Sequence, residues 1–142
     1  VYDESYHQEC LRLIDRLEGS IRVRILDPIA HDELKKVIKQ HHVLFLPTRG
    51  ENFGHIILES FMMGRPVLIS DQTPWRNLES QGVGFDLALK DEQAWTKRLD
   101  FFLQMDQTHF DAMCRAAHEK YQEFCNDPEI VKASKGLFLS SE

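Results

Sequence analysis

The sequence predicts an α/β domain: a mainly parallel sheet with helices on both faces, followed by a closing run of helices. Short apolar stretches alternate with amphipathic helical ones as far as Leu89, the order expected of strand–helix–strand units. Two of these stretches, Val43-Leu44-Phe45-Leu46 and Val67-Leu68-Ile69, are continuously apolar, as in strands covered on both faces. From Asp91 onward only helical spacing remains. The last third of the chain therefore adds cover rather than sheet.

In chain order, Leu11, Ile14 and Leu17 recur at helical intervals in a first helix that stops near Gly19. Ile21, Val23 and Ile25 alternate with Arg22 and Arg24 in a strand ending at Leu26, and Pro28 opens a loop. The two arginines are expected on the solvated face of an edge strand, or over helices. Leu34, Val37 and Ile38 mark a short helix after Asp32, a residue suited to cap it. The strand Val43 to Leu46 is stopped by Pro47. Ile56, Ile57, Ser60, Phe61 and Met63 then fall at helical intervals before Gly64 and Pro66, a normal helix stop. Val67 to Ser70 is the third strand, Gln72 to Trp75 a loop, Arg76 to Glu79 a short helix, and Val83 to Leu89 the last strand. Trp95, Leu99, Phe102 and Leu103 form one helical stripe; Phe110, Met113, Ala117, Tyr121 and Phe124 form another. Asp127-Pro128 starts a final helix carrying Ile130, Val131, Leu137 and Phe138, with a cap followed by proline at the first helical position.

Composition narrows the function. A chain of 142 residues is one domain or part of one, long enough for a single packed core. Its 17 basic and 23 acidic residues give a charge of −6, with no basic cluster or aromatic-interleaved lysine stripe, which argues against a nucleic-acid partner. Cys10, Cys114 and Cys125 form no Cys-x-x-Cys and leave one unpaired. Neither a disulfide framework nor a zinc site is expected, and a reducing, cytoplasmic setting fits. His41-His42 has no third ligand at metal spacing. No apolar run approaches a membrane span and no signal peptide is visible. Val1 marks the chain, in this reading, as an excised fragment.

The segment richest in chemistry is Glu51-Asn52-Phe53-Gly54-His55-Ile56-Ile57-Leu58-Glu59. A loop that leaves the carboxyl end of a parallel strand and opens a helix presents backbone N–H groups and the positive helix end to an anion. Glu51 falls on that loop and Glu59 on the second helical turn, so the two acids can approach one ligand from two sides. Duller readings compete at each position. Glu59 fits a solvated helix surface, Glu51 a cap for the helix beginning near Gly54, and Gly54 a tight turn. His55 fits a surface residue, and Phe53 packing beneath the loop.

The order strand, Pro47-Thr48-Arg49-Gly50-Glu51-Asn52-Phe53-Gly54, helix, Glu59, Gly64-Arg65-Pro66-Val67 and Ser70-Asp71 resembles the carboxyl-terminal half of retaining glycosyltransferases of family 4. These have the GT-B fold, and their signature is a pair of glutamates separated by seven residues. The resemblance implies a Rossmann-like three-layer α/β/α domain that binds a nucleotide-sugar donor. Carried onto this chain, it makes Glu51 the catalytic glutamate facing the transferred sugar and steadying positive charge at its anomeric carbon. Glu59 accepts hydrogen bonds from the ribose hydroxyls. The backbone amides of Phe53, Gly54, His55 and Ile56 meet the diphosphate or sugar, with Asn52 and Thr73 beside them, and the loop at Leu26 receives the base. The acceptor, a saccharide or a lipid-linked glycan, is expected on an amino-terminal domain absent from these residues. The parent enzyme is then cytoplasmic, with peripheral membrane association open to it.

Departures from the family pattern are local. Where the family often has a Gly-Gly pair with a following glutamate, this chain has Thr73-Pro74-Trp75 and Glu79, which suggests a subfamily variant. No Asp-x-Asp motif occurs, so no metal is expected to hold the diphosphate and no cofactor is expected. Two other readings use the same residues. One is an epimerase or phosphorylase on the GT-B frame; the phosphorylases need a pyridoxal-phosphate lysine, and downstream of the turn the nearest is Lys90. The other is a non-catalytic nucleotide-binding or flavodoxin-like module. Clustered acids argue against that module, because carboxylates repel phosphates unless they face hydroxyls.

Overall fold

The computed structural model describes residues 3–128 and separates into two compact units, divided between Ala30 and His31. In the first unit, α1 (Glu4–Ile14) is capped by Asp3, whose carboxylate accepts from the Tyr6 N–H at 3.1 Å. It ends short of Gly19, in a turn closed by the Leu17 N–H on the Ile14 carbonyl. The strand expected from Ile21 to Leu26 is not formed: residues 21–30 carry no regular structure, and Ile21, Val23, Ile25 and Leu26 are all exposed. Alternation alone does not make a strand. Its backbone groups need a neighbouring strand to bond, and among the described residues none pairs with this segment.

The second unit contains a three-stranded parallel sheet in the order β1 (Leu44–Leu46), β2 (Val67–Ser70), β3 (Gly84–Leu87). Its register sets Leu44 beside Val67 and Val67 beside Gly84. The central strand β2 is wholly buried, as its continuous apolar run requires. Val67 and Ile69 face one core, formed with Ile57 and Phe61 of α3 (His55–Met62), Ala117 of α5 (Gln107–Asn126), Trp75, Leu78 and Val83. Leu68 faces the opposite core, with Phe85 and with Trp95 of α4 (Glu92–Gln104). Helices thus cover both faces, and the three-layer α/β/α reading holds. One detail differs: β1 was expected to be covered on both sides, yet it is an edge strand whose Phe45 is half exposed.

α2 (His31–Lys39) packs on α3 and begins one residue before Asp32, so that residue lies inside the first turn rather than before it. At its far end, Arg65 Nη2 donates to the Lys39 carbonyl at 2.7 Å, satisfying one of the terminal carbonyls that a helix leaves unpaired. Arg76 to Glu79, expected to be helical, is not: Arg76 and Asn77 are irregular, and a turn begins at Leu78. The Asp86 carboxylate, on β3, accepts from the Asn77 and Leu78 N–H groups at 3.2 and 2.9 Å, and Asn77 takes a φ of 56°. Those contacts fix the amides in a geometry that a helix cannot continue. Gly84 opens β3 at φ 146°, and an added Cβ there would run into the Val67 carbonyl oxygen. The close approach of β2 and β3 therefore depends on glycine. The final predicted helix, with Ile130, Val131, Leu137 and Phe138, lies outside the described residues.

Candidate functional site

The loops leaving the carboxyl ends of β1 and β2 are stitched together by side chains of β2 and its loop and by backbone groups of the β1 loop. Ser70, the last residue of β2, is buried; its Oγ donates to the Thr48 carbonyl at 2.6 Å and accepts from the Gln72 N–H at 3.3 Å. The Glu51 N–H donates to the Gln72 carbonyl at 3.1 Å. The Trp75 indole N–H donates to the Phe53 carbonyl at 2.7 Å. With its outward oxygen held by Trp75, the chain turns at Gly54 into α3. Parallel sheets place ligands at this end of their strands.

Gly54 is buried and left-handed, with φ 78°. A Cβ on it would lie 2.8 Å from Ile57 Cδ1 and 3.2 Å from Trp75 Nε1, so both the conformation and the space require glycine. Its carbonyl accepts from the Ile57 and Leu58 N–H groups and so closes the first helical turn. Its own N–H donates to Glu51 Oε1 at 3.2 Å. The capping contact weighed for Glu51 is therefore present, and the half-buried carboxylate lies at the positive end of α3. The N–H groups of His55 and Ile56 have no acceptor among the described residues. They are the open donors of this turn.

Glu59 lies about 7.5 Å further along the helix axis than Gly54, at about 1.5 Å of rise per residue. Its side chain is only 15% exposed, and Oε1 lies 3.2 Å from Nε2 of His31, the first residue of α2. It is not the freely solvated acid of the duller reading. The structure thus engages the two carboxylates with different partners, Glu51 at the mouth of α3 and Glu59 against α2.

The remaining candidates fall in different surroundings. Asn52 and His55 are exposed and Ile56 is half-buried. Phe53, expected beneath the loop, is 37% exposed; its ring lies 4.6 Å from that of His55 and 5.8 Å from that of Phe124. Thr73 is buried, and its hydroxyl is used within its own turn, accepting from the Trp75 N–H at 3.2 Å and donating to the Trp75 carbonyl. Leu26 is exposed in the first unit, and every other candidate belongs to the second. Beside the Trp75 loop is a cleft of about 390 Å³ lined by Pro74, Trp75, Arg76, Lys120, Glu123 and Phe124 among others; neither Glu51 nor Glu59 lines it.

Two contributors escaped the sequence reading. The Trp75 indole, named there only as part of a variant loop, orients the Phe53–Gly54 peptide, and His31 lies at ion-pair distance from Glu59. Neither could be found by spacing, since each acts on a residue more than twenty positions away. Among the described residues no three His, Cys, Asp or Glu side chains come together as a metal site. None of the described helices is long and apolar enough to cross a membrane.

A parallel sheet with helices on both faces and two interlocked loops at its strand carboxyl ends defines a Rossmann-like α/β domain. Residues 3–121 match the family model described as Glycosyl transferases group 1, and the chain belongs to that family. It is a glycosyltransferase domain. No curated protein matches the chain, and the family match does not favour the epimerase or the non-catalytic module.

Proposed function

We propose that this chain is the donor-binding half of a retaining glycosyltransferase of family 4 with the GT-B fold, taking its sugar from a nucleotide diphosphate. The observation that carries the reading is the start of α3, where the unbonded His55 and Ile56 N–H groups lie in one short segment with Glu51 and Glu59. A nucleotide diphosphate-sugar needs donors for its phosphates and acceptors for its hydroxyls. The two N–H groups and the helix dipole supply the first, and the two carboxylates supply the second.

In this arrangement Glu59 accepts from the ribose hydroxyls. Glu51 faces the transferred sugar, where its negative charge steadies the positive charge that develops at the anomeric carbon. The amides meet the charge left on the diphosphate as its bond to the sugar breaks, with no metal required. Asn52 and Phe53, both exposed beside these amides, are assigned to the sugar and phosphate side. The acceptor, a saccharide or lipid-linked glycan, is bound by a separate amino-terminal domain, and the enzyme works in the cytoplasm or against the membrane face.

Titration with uridine or guanosine diphosphate tests this reading. Amide signals of Gly54, His55 and Ile56 should shift, and Glu59→Ala should weaken binding by about tenfold or more, the usual effect of losing hydrogen bonds to a charged group. An unchanged affinity in Glu59→Ala removes the ribose assignment.

A further inference from the structure

The structure places His31 against Glu59 across two helices, and we infer that His31 is a positioning residue that pre-sets the Glu59 carboxylate for a ribose diol. The inference rests on the donor-binding reading above. It starts from the geometry of a flexible acid. A glutamate side chain on a helix has three rotatable bonds, and fixing it costs up to about 2 kcal/mol of conformational entropy. Glu59 is largely screened from water, so its carboxylate needs a partner in the empty protein. His31 supplies one through charge, its Nε2 lying 3.2 Å from Oε1, an ion-pair contact when the imidazole is protonated. No described residue bonds to Oε2.

This division of labour suits two adjacent hydroxyls. One oxygen is drawn toward the histidine, which restricts the carboxylate before a ligand arrives, while the other has no protein partner among the described residues. His31 in turn is fixed by its place at the start of α2, whose far end is anchored by Arg65 on the Lys39 carbonyl. Its ring is 67% exposed, so its loss removes little packing. A ligand that offers vicinal hydroxyls gains from the preset carboxylate. A ligand without them gains nothing.

The test compares uridine and guanosine diphosphates with their 2′,3′-dideoxy counterparts on the whole chain. The wild type should favour the ribo form, and Glu59→Ala should abolish the preference. His31→Ala should reduce the ratio of affinities about fivefold, with the melting temperature unchanged. His31→Lys, which keeps a cationic N–H donor beside the carboxylate, should restore it. The inference is overturned if His31→Ala keeps the wild-type ratio while Glu59→Ala loses it. A ratio that lysine does not restore overturns it as well, since the loss then comes from packing. Absence of any ribo preference in the wild type removes the ribose assignment of Glu59 itself, a separate failure.

Discussion

Gly54 carries two constraints that originate in different parts of the chain. The left-handed backbone is local, set by the need to turn from the Glu51 loop into α3. The lack of room for a Cβ is set by Ile57 and by Trp75, which comes from the following loop. Gly54→Ala should therefore cost about 2–3 kcal/mol, combining a left-handed alanine with a crowded methyl. Urea unfolding measures it, and a loss below about 0.5 kcal/mol would mean that the turn relaxes freely. The sequence offered only half of this argument. A glycine between a strand and a helix is legible as a turn, whereas the Trp75 ring that crowds it is twenty-one positions away. The same holds for Glu59, whose helical position was legible and whose histidine partner was not.

Elements were legible wherever their own residues supply the stabilising contacts. β2 declares itself by four consecutive buried residues, and α5 by a stripe that returns every three or four positions to Ala117, Tyr121 and Phe124. Elements that depend on distant partners were misread, as at Ile21 to Leu26, where alternation met no strand to pair with, and at Arg76 to Glu79, where Asp86 captures the amides. A cap is likewise made within a few residues of the chain, although the one expected at Asp32 falls inside α2 and that at Asp106 was not singled out. Asp106 precedes α5 and accepts from the His109 N–H at 2.8 Å, while its other oxygen lies 2.8 Å from His109 Nδ1. These bonds, the His109 N–H first and its ring second, hold the Asp106 carboxyl below the usual aspartate range. A group whose acidity is strengthened by folding adds stability above its unfolded pKa and loses it as the pH falls through the folded value. Stability contributed by Asp106 is thus present at neutral pH and lost in the acid range. In Asp106→Asn, which still caps but does not ionise, that acid-range loss should shrink. Unfolding measured from pH 7 downward reads the difference, and parallel curves for the two proteins would assign the acid sensitivity to other carboxylates.

At the scale of the whole molecule, the proposed nucleotide diphosphate donor brings further negative charge beside two acids of a chain whose net charge is −6. Like charges repel unless something intervenes. In the proposed arrangement the helix start faces the phosphates and the carboxylates face hydroxyls, so each charge meets a complementary group. Glu51 is where this organisation and simple helix capping make different predictions. Both use the same oxygen, because Oε1 holds the Gly54 N–H. Glu51→Gln retains an acceptor for that N–H and removes the charge, so it should change stability by no more than about 0.5 kcal/mol, within the range of a neutral surface substitution. In a polypeptide carrying both donor and acceptor halves, the same substitution should lower kcat by about a hundredfold or more, because only the ionised carboxylate steadies the anomeric charge. Glu51→Ala loses both functions, and its stability should fall by about 1 kcal/mol as for other lost caps. Parallel measurement of kcat and the urea midpoint separates the two roles. If Glu51→Gln transfers sugar at the wild-type rate while Glu51→Ala loses rate and stability together, the residue is a cap alone, and the anomeric charge must be met elsewhere.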